Sequence, residues 1–264
     1  MDIRNVIKNG NKFVIGMVHC LALPGTAEFG GDVKKIMDQA VEDALTLERA
    51  GVDAVIVENM NDNPFGALLD TPQIAALSAA TARVRDAVSI PVGVDAAFND
   101  CVTSLSIAKA NSCQFVRIPV FVDTVFFTNG LITPCSRLCM ETRRNLEATD
   151  VMVLADVHVK HAHLVLPDTP VETSAKEAAS CGADAIIVTG SAIGMETPID
   201  MIRRVKSVVN VPIIAGSGVK AENIDEQLNI ADGAIIGSSL KKGGDVHNPI
   251  DYDLVREVLG SLHK

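Results

Sequence analysis

The chain has 264 residues, 48% of them hydrophobic and 21% charged, with no Trp, one Tyr and a formal net charge of −10. That length suits a single β/α domain of about 250 residues, and the composition is that of a globular enzyme rather than a disordered or fibrous chain. The acidic balance excludes a nucleic-acid partner, which requires a basic face, and no run approaches the roughly 20 apolar residues of a membrane span.

The first residues, Met1-Asp2-Ile3-Arg4-Asn5, lack the apolar core of a signal peptide. The expectation is a cytoplasmic protein without membrane insertion. The cysteines at 20, 101, 113, 135, 139 and 181 form no CxxC and read as reduced thiols. Cys135 and Cys139 stand i,i+4 on a helical pattern without further ligands nearby, and His158, His161 and His163 match no zinc spacing. Neither a metal nor a cofactor is expected.

From residue 12 onward, short apolar runs alternate with amphipathic ones. Strands are predicted at Lys12–Met17, Ala54–Val57, Pro91–Val94, Phe115–Pro119, Val151–Ala155, Ala185–Val188, Pro212–Ala215 and Gly233–Ile236. Between and after them, helices are predicted at Val33–Ala50, Thr71–Ala87, Val102–Ala110, Pro134–Leu146, Val171–Cys181, Ile199–Val208, Ala221–Leu228 and Asp251–Leu262. Crossovers of that length force parallel pairing, and eight such units close a (β/α)8 TIM barrel more readily than they extend an open sheet. Two joins recur: Gly51-Val52-Asp53 and Gly182-Ala183-Asp184 end a helix on glycine before a buried strand, and Pro91 and Pro212 stop a helix just ahead of one. No linker divides the chain, so residues 1–264 are expected to form one domain.

In such a barrel the working residues lie at the C-terminal ends of the strands. Read in order, those ends offer His19, Glu58 with Asn59, Asp95, Arg117, the run Asp156-Val157-His158-Val159-Lys160, and Thr189. If the fifth strand continues, Asp156, His158 and Lys160 alternate onto one face toward the mouth, where an acid, an imidazole and an amine can divide a proton transfer. His19 is a base, an acid or an ordering residue for the loop behind it. Glu58 and Asn59 bind sugar hydroxyls or cap the next helix. Asp95 is a candidate base, with Asn99-Asp100 beyond it as an N-cap. Arg117, inside an apolar strand, needs a carboxylate such as Asp95 or Asp156, or an anionic ligand. The last two ends are glycine-serine turns, Gly216-Ser217-Gly218 and Gly237-Ser238-Ser239. Backbone N–H groups at such turns bind anions without a side chain, so they read as paired phosphate cups.

The segments Ala155-Asp156-Val157-His158-Val159-Lys160-His161-Ala162, Gly16-Met17-Val18-His19 with Leu23-Pro24-Gly25, Phe98-Asn99-Asp100, Gly216-Ser217-Gly218-Val219-Lys220-Ala221-Glu222-Asn223 and Ser239-Leu240-Lys241 resemble the BtpA/SgcQ family over nearly the whole chain. The resemblance implies a barrel of the ribulose-phosphate-binding kind. Among that family's members, a cyanobacterial one is tied to photosystem I assembly, others accompany sugar uptake, and many carry the label of a phosphoribosylanthranilate isomerase. Such isomerases use a thiol near the first strand as base and a carboxylate on the fifth as acid, which here implies Cys20 and Asp156, with His19 and Asp156 as the other pairing. Asp95 stands where members of the family often have Asn.

The expected function is therefore an isomerase or epimerase that moves a proton on a phosphorylated sugar or ribosyl compound. Gly216, Ser217, Gly218, Gly237, Ser238 and Ser239 hold the phosphate, and Thr189, Glu58, Asn59 and Asp95 line the site. Asp156 and His19 exchange protons with His158 close by, and Lys160 and Arg117 stabilise negative charge. Two alternatives stand beside it: a phosphosugar aldolase with Lys160 as Schiff-base nucleophile, and a non-catalytic assembly factor. The partner is a phosphorylated small molecule, with homo-oligomerisation left open. Sugar specificity is expected to rest on loops at Glu58, Phe65 and Phe121–Thr133.

Overall fold

The computed structural model describes residues 3–8, 12–190 and 196–262. Eight parallel strands close a barrel in chain order: β1 (Phe13–His19), β2 (Ala54–Glu58), β3 (Val92–Asp95), β4 (Phe115–Ile118), β5 (Met152–Val157), β6 (Ala185–Val188), β7 (Ile213–Ala215) and β8 (Gly233–Ile236). Outside them pack α1 (Val33–Ala50), α2 (Thr71–Ala87), α3 (Cys101–Ala110), α4 (Ser136–Asn145), α5 (Val171–Ser180), α6 (Ile199–Lys206), α7 (Ile224–Leu228) and α8 (Tyr252–Gly260). The TIM barrel expected from the alternation is the fold observed. Among the described residues, no helix is long and apolar enough to cross a membrane.

Local chemistry explains the joins. Asp32 caps α1 by accepting from Lys35 N–H at 3.0 Å, and Asp100 caps α3 by accepting from Thr103 N–H at 2.9 Å. Gly51 and Gly182 leave their helices at φ 100° and 101°, where a side chain would be strained. The aspartate two residues after each glycine has a further task that the sequence did not disclose. Asp53, at the foot of β2, donates its N–H to Val14 O (2.9 Å) while its carboxylate accepts from Val14 N–H (2.8 Å). Asp184 makes the same reciprocal pair with Val153, and Asp232 makes it with Ile213. These clasps join β1 to β2, β5 to β6 and β7 to β8, and they fix the register of neighbouring strands at their starts.

Side chains alternate along each strand. One set, including Val14, Val18, Val55 and Val57, meets Leu47, Leu77 and Leu105 of the helices. The other fills the barrel with Phe13, Ile15, Met17, Ile56, Phe115, Leu154, Ile187, Ile214 and Ile235. A short N-terminal helix (Ile3–Lys8), absent from the sequence reading, closes the base with Ile3, whose N–H donates to Gln114 Oε1 at 2.7 Å. Two glycines make room for rings: a Cβ on Gly93 would lie 2.2 Å from Phe115, and one on Gly233 would lie 2.3 Å from Phe13.

Above the barrel, between β4 and α4, a hairpin (Val125–Phe127 with Gly130–Ile132) pairs with His163–Leu164 in a small antiparallel sheet. Its strands of two and three residues are too short to show an alternation that would predict it.

Candidate active site

Moving two residues up from each interior apolar position reaches the next inward layer, and that layer is polar. Met17 leads to His19, Ile56 to Glu58, Gly93 to Asp95, Phe115 to Arg117 and Leu154 to Asp156. Ile187, Ile214 and Ile235 lead to Thr189, Gly216 and Gly237. Strand pairing sets His19 beside Glu58 and Glu58 beside Asp95. Because pairing continues this far, His19, Glu58, Asp95 and Asp156 belong to the strands themselves rather than to the loops beyond. His19, Glu58, Asp95, Arg117, Gly216 and Gly237 of this layer line a cavity of about 540 Å³ at the barrel mouth.

Arg117 organises the charges. Its Nε and Nη2 donate to Asp156 Oδ1 and Oδ2 at 2.9 and 2.8 Å, a bidentate pair, and its Nη1 lies 3.7 Å from Asp95 Oδ2. Burial pushes the Asp95 carboxyl well above the usual carboxylate range, and the neighbouring Glu58 adds to the effect. Glu58 is also raised, again chiefly by burial, while Arg117 and Lys160 oppose the shift. His19 Nε2 lies 3.4 Å from Glu58 Oε2. Burial, then the charges of Lys241, Lys160 and Arg117, hold the imidazole far below its ordinary pKa, so it is neutral near pH 7. The Lys160 amine is lowered by burial and by Arg117. The cavity wall thus carries two carboxyls with raised proton affinity, a neutral imidazole and a cation, a set suited to moving a proton.

The opposite wall is nearly bare of side chains. Gly216, Ser217, Gly218, Gly237, Ser238 and Ser239 all line the cavity. A Cβ on Gly216 would lie 2.4 Å from Ile187 Cγ2, and one on Gly237 would lie 2.9 Å from His19 Cε1. Only glycine therefore lets the main chain approach here. The Ser217 hydroxyl accepts from Gly190 N–H at 2.7 Å, and the Ser239 hydroxyl donates to Val219 O at 2.5 Å. These hydroxyls fasten each turn to the loop of the preceding strand.

Several sequence expectations are redrawn. Asp156, His158 and Lys160 do not share one face: β5 ends at Val157 and His158 turns through a left-handed φ of 49°. Burial lowers its imidazole pKa and the charges acting on it are Asp123, Arg204 and Glu172, and the residue is not part of the cavity wall. Asp156 lies clasped by Arg117 beneath the wall. Thr189 supports the Lys160 loop instead of lining the cavity, because its Oγ1 accepts from Lys160 N–H at 3.0 Å and donates to His158 O at 3.4 Å. Asn59, fully buried, also works on the backbone: its amide donates to Ala97 O (2.9 Å) and its carbonyl accepts from Ala97 N–H (2.7 Å). Cys20 is buried outside the cavity, with its thiol pushed up to about 12 chiefly by burial, which disqualifies it as a base. Phe127 and Thr128, within the 121–133 segment expected to set specificity, line the cavity, as do Met60, Asn63, Phe98, His161 and His247, which the sequence did not single out as ligand contacts. Phe65 and the 121–133 segment were the sequence signals closest to them. Among the described residues, no group of His, Cys, Asp and Glu is arranged to hold a metal ion.

Comparison with known proteins adds the chain's relatives. A model of the BtpA family matches residues 10–264. The chain is 37% identical over 243 residues to a protein of Pyrococcus furiosus, covering 92% of this chain and 91% of that one. It is 34% identical over 255 residues to the photosystem I biogenesis protein BtpA of Synechocystis sp., covering 95% and 88%. Among solved structures, (S)-3-O-geranylgeranylglyceryl phosphate synthase from Thermoplasma acidophilum, in complex with its substrate sn-glycerol-1-phosphate, superposes with a TM-score of 0.61 at 15% identity, covering 98% of this chain and 96% of that one. That likeness is one of fold.

Proposed function

The chain belongs to the BtpA family, and we propose that its barrel mouth binds a phosphorylated sugar or ribosyl compound and moves a proton on it, as an isomerase or epimerase. One observation carries this reading: a single cavity has a glycine-serine wall from β7 and β8 facing buried carboxyls on β2 and β3. Main-chain N–H groups of the turns take the phosphate. Glu58, as carboxylate, removes a proton from the carbon beside a carbonyl, and the electron pair moves onto the carbonyl oxygen. The Lys160 ammonium stabilises that oxyanion, with neutral His19 beside Glu58. Asp95, held protonated by its burial, returns a proton to the neighbouring atom. Asp156 acts through Arg117, keeping the guanidinium between the carboxyls.

Ribose 5-phosphate and related sugar phosphates should raise Tm by several degrees at millimolar concentration. In D2O the bound sugar should acquire deuterium beside its carbonyl. The absence of any thermal shift across such a panel would remove the reading.

The lowered, buried Lys160 amine also favours a second reading, a phosphosugar aldolase in which Lys160 condenses with the substrate carbonyl and releases water. Borohydride would trap that adduct on Lys160, whereas an isomerase leaves Lys160 unmodified. The Synechocystis relative's name favours an assembly role; that reading predicts a partner complex that survives Glu58→Gln and Lys160→Met together.

A further inference from the structure

The chain has eight phenylalanines and no tryptophan, yet Phe65, Phe98 and Phe127 converge on this one cavity. They come from the loop after β2, the loop after β3, and the hairpin between β4 and α4. Phe98 and Phe127 stack with ring centroids 4.3 Å apart and planes 10° apart. The hairpin takes no part in closing the barrel; its contribution is to lay Phe127 over Phe98. Val159 and Phe65 pack against the same cluster.

This wall is held by main-chain clasps. Asn59 grips both main-chain polar atoms of Ala97, the residue before Phe98. Asn99 does the same for Val120, donating to its O at 3.0 Å and accepting from its N–H at 2.9 Å. Asn99 N–H also donates to Ala67 O at 3.1 Å, tying the Phe98 loop to the Phe65 loop. A buried asparagine that completes such pairs fixes one backbone arrangement, so the loop that carries Phe98 is held from both sides.

In an eight-stranded ring, β3 and β4 lie across the mouth from β7 and β8. The apolar wall and the glycine-serine wall therefore face each other across the cavity that Glu58, Asp95 and Lys160 also line. A cavity of about 540 Å³ is within the range of about 300–1,000 Å³ that encloses a drug-sized molecule. The hydroxyls of a bare sugar phosphate would meet phenylalanine faces unable to hydrogen-bond them.

We propose that the ligand is bipartite, a sugar phosphate bearing an aryl or heteroaryl group, with the flat group seated against Phe65, Phe98 and Phe127 and the phosphate in the opposite turns. The inference rests on the phosphate reading above and supplies the other end of the molecule. It assigns Phe98 and Phe127 as specificity residues that take no part in proton transfer.

Three probes test it by calorimetry on the full chain: phenyl β-ribofuranoside 5-phosphate, methyl β-ribofuranoside 5-phosphate and phenyl β-ribofuranoside without phosphate. The phenyl phosphate should bind about tenfold more tightly than the methyl phosphate, given the surface an aromatic ring buries. In Phe127→Leu, on the half-buried hairpin, that preference should fall to about twofold while methyl phosphate affinity holds; Phe98→Leu should behave alike if it folds. Equal affinity of the two phosphates for the unmodified protein would overturn the aromatic subsite and leave the phosphate reading standing. Equal affinity of the phenyl riboside with and without phosphate would overturn the phosphate reading and uphold the subsite. Failure of all three to bind would overturn both.

Discussion

Toward the mouth of the barrel, β1 to β5 carry His19, Glu58, Asp95, Arg117 and Asp156 at their inward positions, whereas the ends of β6 to β8 carry Thr189, Gly216 and Gly237. The first arc acts through side chains whose protonation is set by burial and by one another. The second acts through main chain, and its serine hydroxyls serve to hold the turns. Under the proposed function, the difference separates two tasks within one ring. Groups that exchange protons must be tunable, and side chains in a dry layer are. Groups that grip a phosphate must be fixed and close, and glycine backbone is. Variants in the two arcs should therefore fail in different ways.

The largest effect belongs to the first arc. Glu58→Gln should lower kcat for deuterium exchange by about 10²–10⁴-fold, the usual contribution of a positioned acid or base, while sugar phosphate affinity changes little. A variant with unchanged kcat and weakened binding would instead make Glu58 a sugar ligand and blur the division between arcs. Arg117→Met comes next. It leaves the buried carboxyls of Asp95 and Asp156 without their cation, and removing one member of a buried ion pair costs about 3–5 kcal/mol. Urea denaturation should register this as a lower midpoint; a loss below about 1 kcal/mol would mean that the carboxyls do not need Arg117. In the second arc, Gly216→Ala must force its methyl against Ile187 and Thr189, at about 1–3 kcal/mol for overpacking. Its diagnostic consequence is a vanished thermal shift with phosphate ligands. Gly237→Ala meets the edge of the His19 ring at 2.9 Å and the flexible Met17 side chain at 3.3 Å, so it should weaken binding with a smaller loss of stability.

The same arcs differ in how well the sequence reported them. Every barrel strand was visible, because short apolar runs alternating with amphipathic helices leave little else to build. The inward polar layer was visible too, since each member follows an apolar run. What the sequence did not carry was the path of the chain beyond the last ladder bond. His158 fits a period-two pattern with Asp156 and Lys160, yet the left-handed turn at His158 breaks it; composition offers no warning, because the turn is held by Thr189, 31 residues away. That Arg117 needs a carboxylate was legible from its place in an apolar run, but not that Asp156, 39 residues away, takes the bidentate place while Asp95 stays at 3.7 Å. Carboxylates that titrate and carboxylates that only anchor look alike until their partners are known.

The smallest expected effect tests that distinction on Asp95. Neither oxygen of its carboxyl has a hydrogen-bond partner among the described residues, although Arg117 lies 3.7 Å away. Burial, Glu58 and Asp156 raise its pKa, while Arg117 and Lys160 lower it, and the balance is upward. A carboxyl whose folded pKa exceeds its unfolded value of 3.8 keeps a proton that the unfolded chain has already released. Stability must then fall as pH rises between the two values, and the cost is complete above the folded pKa. Asp95→Asn cannot ionise and escapes that cost. It should be about 1 kcal/mol more stable than the unmodified protein at neutral pH, a typical gain for one relieved site, with the gap closing as pH falls toward 4. Tm measured from pH 4 to 7.5 reads this directly. A variant less stable at neutral pH would show that Asp95 is ionised and anchored by Arg117, and the role of proton donor would then pass to another group of the first arc.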